Sequence, residues 1–176
     1  MKILKNRLAL STVVTTLIIL VVSVLLAGVV TYFAINVVST RVQQESLSLS
    51  FTHVWVDSAG NAQAAVLIKN TGGRDVVINA IQVRGIAGTF GTNVYYTAAS
   101  TNPAPLDAAG LALLTAATAN KPITLASGGA IQVYINHPTS VGINDIGTTI
   151  GVTAFTANAM YYQETNVQAT SAVSLA

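Results

Sequence analysis

The side chains that could carry out catalysis or bind a metal ion are few and far apart along the chain. His53 and His137 are the only histidines, cysteine is absent, and the six acidic residues occur singly. A metal site needs several His, Cys, Asp or Glu ligands close together, and acid–base catalysis commonly uses paired carboxylates. The sequence also lacks a phosphate-binding loop, a dinucleotide-binding fingerprint and a nucleophile elbow. We therefore expect no catalytic residue, no metal site, no cofactor and no enzymatic activity.

The segment from Asp57 to Asn61 is the nearest approach to a ligand-binding motif. An acidic residue followed by Gly60 and Asn61 is weakly similar to a calcium loop, but such loops supply about six to eight oxygen ligands. The same residue types are typical of tight turns, so we expect a hairpin turn here. His53 is expected beside Trp55 on one face of the preceding strand, with its hydrogen bonds satisfied and no ligand role.

Charged residues are scarce, at 8% of the chain against about 25% in a typical soluble domain. Three of the eight basic residues, Lys2, Lys5 and Arg7, lie among the first seven, and without them five basic residues face six acidic ones. No basic patch remains, so we expect no nucleic-acid binding. Beyond residue 46 the low charge fits either a neutral polar surface or a surface that packs on other copies or carries sugars.

The element that dominates the chain is a run of 33 uncharged residues from Leu8 to Thr40. About 20 apolar residues cross a bilayer as a helix, because the backbone in lipid must satisfy its own hydrogen bonds. The run would reach about 50 Å as a helix, and it is longer than the apolar part of a secretory signal peptide, about 7–15 residues. By the positive-inside rule, the basic residues before it place the N-terminus in the cytoplasm and residues after about 41 outside.

The same helix surface could pack against other copies of the chain. Small residues let neighbouring apolar helices approach closely. The hydroxyls of Thr15, Thr16 and Thr31, and the amide of Asn36, could bond across to a neighbour or back to the helix's own backbone. The residues expected to form the contact surface are Val13, Val14, Leu17, Ile18, Leu20, Val24, Ala27, Gly28 and Ala34.

The segment 5–18, which reads KNRLALSTVVTTLI, resembles the start of archaeal type IV pilins. Precursors of that family have a short basic leader, a small residue, and an apolar helix that opens with a Leu-Ser-x-x-Val-x-Thr-Leu-like pattern. The resemblance implies that a prepilin peptidase cuts between Ala9 and Leu10, with Lys5 and Arg7 in the recognised leader. It also implies three parts: a leader over 1–9, a hydrophobic helix over 10–45 and a head over 46–176.

Two positions depart from the commoner pattern of pilins. Leu8 separates Arg7 from Ala9, where the family more often places a basic residue directly before the small one. Val14 stands where bacterial pilins carry a Glu. Many archaeal members lack that Glu, so Val14 favours the archaeal branch.

From residue 46 the apolar pattern changes to alternation, which is typical of β-strands. In the first strand Leu47, Leu49, Phe51 and Trp55 are expected to share one face. The pattern predicts an α+β chain in which the long apolar helix is followed by an antiparallel, immunoglobulin-like β-sandwich head. Further strands are expected at about 64–69, 76–84, 90–97, 123–125, 130–136, 148–155 and 160–167.

Two loop regions of the head stand out. Residues 98–122 should form a loop with a short helix that starts near Asp107, and this segment is apolar enough to cover a sheet edge or contact a neighbour. The Asn70-Thr71-Gly72 turn is similar to a hairpin that recurs in archaeal pilins and archaellins, and the segment 123–133 is similar to their strand, Gly-containing turn and strand. We expect Gly72, Gly128 and Gly129 to adopt positive φ in these turns.

The pilin resemblance implies a structural, adhesive role as the subunit of an extracellular homopolymer. The precursor would lie in the cytoplasmic membrane with its N-terminus inside, and the assembled chain in a cell-surface filament. Partners would be other copies, a prepilin peptidase, an assembly ATPase and a membrane platform protein. Two alternatives stay open: an archaellin, the subunit of a swimming filament, and a monomeric surface domain anchored by a single membrane-spanning helix.

The processing hypothesis predicts the first residue of the mature chain. Protein sheared from the cell surface should begin uniformly at Leu10, and intact-mass spectrometry of that material measures it. Recovery of the protein only from detergent-extracted membranes, with Met1 to Ala9 still attached, would contradict cleavage at this bond.

Overall fold

The computed structural model describes the backbone of residues 2–42 and 44–171, and the side chains of 10–40 and 44–171. The chain forms two compact units, Met1–Val42 and Gln43–Ala176. The first unit is an apolar helix. The second is a β-rich head.

The N-terminal unit is the single helix α1, Lys2–Val42. It begins before residue 10, so the expected leader is helical too. It also ends earlier than expected, because Gln44 and Glu45 are not helical. Contacts of Glu45 and Ser46 with the head account for this difference and are described below.

The described part of the head contains ten strands, of which eight lie close to the expected positions and two, of two residues each, were not expected. The short helix α2 (Ala108–Ala112) is confirmed, and the Asp107 side chain caps it by accepting a hydrogen bond from the Gly110 N–H. A 3-10 turn spans Ile143–Asp145. The strands are β1 (Leu47–Val56), β2 (Ala62–Asn70), β3 (Val76–Val83), β4 (Ile86–Ala87), β5 (Val94–Thr97), β6 (Thr115–Ala116), β7 (Ile123–Leu125), β8 (Ala130–Asn136), β9 (Thr149–Thr156) and β10 (Met160–Ala169).

These strands form one mixed sheet curled into a half-barrel, in the order β4-β3-β9-β10-β1-β2-β8-β5-β6, with β7 beside β3. The antiparallel expectation holds for the described pairs except β1 and β10, which run parallel from Val54↔Val167 to Val56↔Ala169. This short parallel contact joins the two halves of the sheet into one. The sheet ends in strands of two residues each, β4 and β6. The immunoglobulin-like form of the sandwich stays a prediction.

The main core lies on the concave face of the sheet and is built from aliphatic side chains. Alternation places Val54, Ile68, Ile78, Ile81 and Val133 there with no exposed surface. Strands from both halves of the sheet contribute to it, so it holds the two halves together.

The expectation that Leu47, Leu49, Phe51 and Trp55 share one face is wrong. The register of β1 against β2 shifts between Ser50 and His53, so β1 carries one extra residue, a β-bulge. Phe51 lies in this bulge at φ 47° and is 52% exposed. The bulge exchanges the faces of all later residues, so Trp55 lies opposite the main core.

A second, smaller core covers that opposite face. It contains Trp55, Ala65, Leu111 and Tyr134, and Leu106 and Leu114 pack against it. The inserted segment 98–122 supplies the three leucines, so it covers a face of the sheet, and its residues 115–116 also pair with the edge of β5 as strand β6. Strand β2 is therefore buried on both sides, which explains its nearly continuous run of buried residues.

Side chains of the sheet hold the inserted segment by its backbone. The buried Gln63 amide donates to the Leu106 carbonyl at 3.0 Å and accepts from the Leu106 N–H at 2.8 Å. Gln132 donates to the Thr101 carbonyl at 2.7 Å, and Tyr134 donates to the Ala104 carbonyl at 3.2 Å. The peptide groups of the segment thereby gain partners that a covered loop would otherwise lack.

The Gln63 contacts predict a measurable stability difference. Gln63→Ala should lower the free energy of unfolding by about 2–4 kcal/mol, because it removes two hydrogen bonds and leaves buried peptide groups of Leu106 unpaired. Urea unfolding of the full chain in detergent, followed by fluorescence of Trp55, measures this change. Gln163→Ala on β10 is the matched control and should stay within about 0.5 kcal/mol, because Gln163 is exposed. Equal effects of the two variants would contradict the role of Gln63.

Candidate functional site

The candidate functional surface is the whole surface of α1 between Leu10 and Thr40. This stretch is 31 residues long, and it is the one helix among the described residues long and apolar enough to cross a membrane. Length and composition alone support that statement, and a signal sequence near an N-terminus has the same properties. The helix is therefore compatible with a membrane anchor or a signal.

The nine residues expected to contact other copies are all exposed. For the large apolar members the exposed fraction runs from 50% for Val14 to 64% for Val24. Tyr32 and Phe33 are more exposed still. Apolar residues occupy every side of the helix, so it has no polar face that could rest in water while another face is covered.

The polar side chains of α1 bond mainly to its own backbone. Thr15 donates to the Ser11 carbonyl at 2.8 Å, and Thr31 donates to the Ala27 carbonyl at 2.7 Å. Thr16 and Ser23 bond back to the preceding turn in the same way. Of the two possibilities left open for the threonine hydroxyls, the bond to the helix's own backbone is the one observed. This pattern lets a hydroxyl lie in apolar surroundings without a partner from outside.

Gly28 is the single glycine of α1, and no contact within the chain requires it. A Cβ built on Gly28 meets no atom within 4 Å. Glycine inside a helix costs roughly 0.5–1 kcal/mol relative to alanine. The absent side chain leaves a shallow notch beside Ala27 where another helix could approach closely.

The residues expected to direct processing lie at the start of α1. The side chains of Lys5, Arg7 and Ala9 lie outside those that the structure describes, and the side chain of Leu10 is exposed. The backbone from Lys2 onward is helical, so the bond between Ala9 and Leu10 lies inside α1.

Residues 44–46 connect to the head through polar contacts with two of its turns. The Glu45 carboxylate accepts hydrogen bonds from the Thr156 hydroxyl and, at 2.8 Å, from the Asn158 amide. Both partners lie at the turn between β9 and β10. The Ser46 carbonyl accepts from the N–H groups of Thr71 and Gly72, at 2.9 and 3.0 Å.

Asn70-Thr71-Gly72 forms a turn but not the expected hairpin, because β2 pairs with β1 and β8 whereas β3 pairs with β4, β7 and β9. Asn70 is fully buried, and its amide donates to the carbonyls of Arg74 and Leu125 while its oxygen accepts from the Gly72 N–H. A Cβ at Gly72 would lie 2.6 Å from the Gln44 carbonyl oxygen, so glycine is needed for close approach. The expected positive φ is found at Gly128 and is wrong for Gly72 and Gly129.

The remaining candidate groups serve the fold. His53 stacks on Trp55, with ring centroids 5.2 Å apart, and its Nε2 bonds to Asn102. Its buried Nδ1 has no partner among the described residues, so the expectation that its hydrogen bonds are satisfied is wrong. Asp57 closes the β1–β2 hairpin by accepting from the N–H groups of Ala59 and Asn61, which confirms a turn there. Within residues 2–42 and 44–171, no group of three His, Asp or Glu side chains could hold a metal ion.

Comparison with known proteins assigns no family. No protein-family model matches the sequence, and no curated protein matches it.

The hydrogen bonds from Thr156 and Asn158 to Glu45 are contacts that sequence reasoning missed. Thr156 and Asn158 are more than a hundred positions away in the chain, and no local pattern links them to Glu45. One signal was available. Glu45 is the first acidic residue of the chain and follows the end of α1, where a polar partner would be expected to hold it.

The Glu45 contacts predict the effect of removing its carboxylate. Glu45→Ala should lower the free energy of unfolding of the head by about 1–2 kcal/mol, because it removes two hydrogen bonds to a partly exposed charged group. Urea unfolding monitored by Trp55 fluorescence measures it. Glu164→Ala removes an equally charged but exposed side chain from β10 and should have a smaller effect. A loss no larger than that of Glu164→Ala would contradict the role of Glu45.

Proposed function

We propose that this chain is the structural subunit of an extracellular archaeal type IV pilus, which polymerises through α1 and serves adhesion to surfaces. The observation that carries the proposal is the uncharged, exposed surface of α1 between Leu10 and Thr40. It is joined to a head that contains its own core.

The surface of α1 suits two successive environments. Before assembly, lipid tails would cover its apolar side chains while the hydroxyls bond within the helix. After assembly, neighbouring copies of α1 would cover the same side chains, because a dry helix bundle is as apolar as lipid. Gly28 supports packing against other copies, since no contact within the single chain requires a glycine there and the missing side chain would permit close helix contact.

The head would form the outer coat of the filament. Its low charge supports contacts between copies, because neutral surfaces can approach without desolvating ions. We propose an immunoglobulin-like sandwich for it, supported by two sets of strands that are joined at the short β1–β10 pairing and contribute to one main core.

Assembly would require the partners implied by the pilin resemblance. A prepilin peptidase would remove residues 1–9 on the cytoplasmic side, and an assembly ATPase with its membrane platform protein would transfer the chain from the membrane to the filament. The basic residues Lys5 and Arg7 and the small Ala9 support such processing.

A monomeric surface domain anchored by α1 is the competing function, because a helix of this length also suits a permanent anchor. Negative-stain electron microscopy of surface-sheared material separates the two. Filaments that contain this chain support the pilus subunit. A protein found only as single molecules in detergent, with no filaments in the sheared fraction, would overturn it.

Polymerisation through α1 predicts a position-specific effect at Gly28. Gly28→Leu should reduce filament yield at least tenfold, because its side chain would fill the notch where a neighbouring helix approaches. Filament mass per cell, measured after shearing, gives the result. Val29→Leu adds apolar volume about 100° around the same helix and is the matched control. Equal yields from the two variants would show that Gly28 makes no close contact.

A further inference from the structure

A cleft of about 310 Å³ opens at the edge of β3. The outer edge of β3 pairs with β7 from Val76 to Ile78 and with β4 at Gln82 and Val83. Among the described strands, none pairs with this edge at Asn79 or Ala80. The cleft occupies this interruption, and its volume falls at the lower end of the range for small-ligand sites, about 300–1,000 Å³.

A β-bulge places Asn79 at the cleft. On the other side of β3, Ile78 pairs with Thr156 and Ala80 pairs with Phe155, so Asn79 is an extra residue in the strand. Bulges redirect side chains and are common beside binding sites. The exposed Asn79 amide is thereby presented at the edge of the sheet.

The walls of the cleft are held by contacts between two loops. The first loop lies between β4 and β5, and the second lies between β6 and β7. Gly91 in the first loop lies so close to Ala119 in the second that a Cβ on Gly91 would be 2.7 Å from the Ala119 Cβ. The Asn93 side chain accepts from the Thr89 N–H at 2.7 Å, which closes the first loop. The site is therefore largely formed before any ligand arrives.

The lining of the cleft combines amides, a hydroxyl, apolar surface and one cation. Lys121 is its one charged residue, and it makes no ion pair with any residue that the structure describes. The lining residues that could contact a ligand are Asn79, Thr89, Phe90, Asn120, Lys121 and Pro122.

A second cleft, of about 210 Å³, shares Lys121 and Pro122 with the first. Tyr96, Thr118 and Thr124 contribute a ring and two hydroxyls to it. The two clefts, which have one lysine in common, are called the groove below.

We propose that this groove binds an acidic polysaccharide, with a uronate carboxylate on Lys121 and neighbouring sugar rings in the two clefts. The inference rests on the proposed adhesive role for its biological use, although binding itself needs no filament. It identifies the class of surface to which the head would attach.

Each feature of the groove matches a part of such a sugar. Amide and hydroxyl groups can both donate and accept, as the adjacent hydroxyls of a sugar require. Phe90 and Tyr96 offer rings to the apolar C–H face of a pyranose. The Lys121 ammonium adds a charge-assisted hydrogen bond to a carboxylate. A single lysine is too few for a nucleic acid, which is bound through many phosphates.

Isothermal titration calorimetry of the full chain in detergent tests the proposal. The probe is trigalacturonate, and maltotriose is the neutral sugar for comparison. We expect trigalacturonate to bind at least tenfold more tightly than maltotriose, and raised salt to weaken its binding. No binding of trigalacturonate, or equal binding of the two sugars, would overturn the proposal.

Two matched variants locate the site. Lys121→Gln should weaken trigalacturonate binding about tenfold and leave maltotriose binding unchanged. Lys69→Gln removes the same charge from exposed β2 surface outside both clefts and should change neither affinity. Equal losses in the two variants would mean that net charge, not the groove, attracts the sugar. Micrographs of sheared material from the Lys121→Gln strain separate the two proposals, because filaments without sugar binding would leave the pilus subunit standing.

Discussion

The absence of charge along α1 between Leu10 and Thr40 is the constraint on which the rest of the molecule depends. From Leu10 to Thr40 the helix exposes apolar side chains on every side, and hydroxyls such as those of Thr15 and Thr31 bond to its own backbone. Removing apolar surface from water is favourable by about 25 cal/mol per Å². A helix of this kind is stable when its apolar side chains are covered, which makes it compatible with a membrane anchor or a signal sequence, and the head has to fold from its own residues.

The head meets that requirement with few charges and without disulfides. Its main core is made from residues of its own strands, and the inserted segment 98–122 adds a second apolar layer on the opposite face. Gln63 and Gln132 give the backbone of that layer its hydrogen bonds. As a result, strand β2 is buried on both faces of the sheet. This apolar burial supplies stability that the few ion pairs do not.

Local patterns in the sequence were sufficient for α1, for most strand positions and for the capped helix at Asp107, because each depends on neighbouring residues. They failed at Phe51, where a bulge reverses the alternation, since one extra residue leaves no trace in composition. They also could not show that β1 and β10 run in parallel or that Glu45 contacts Asn158. These features arise from contacts between residues more than a hundred positions apart.

The sheet of the head ends in two strands of only two residues each, β4 and β6. An unpaired strand edge invites the backbone of another molecule to continue the hydrogen-bond ladder, and long edges do so most readily. Edges this short offer an incoming strand only a few backbone N–H and C=O groups with which to pair. Many heads could therefore lie side by side at very high local concentration and each keep its own fold, without pairing their strands into amyloid-like aggregates.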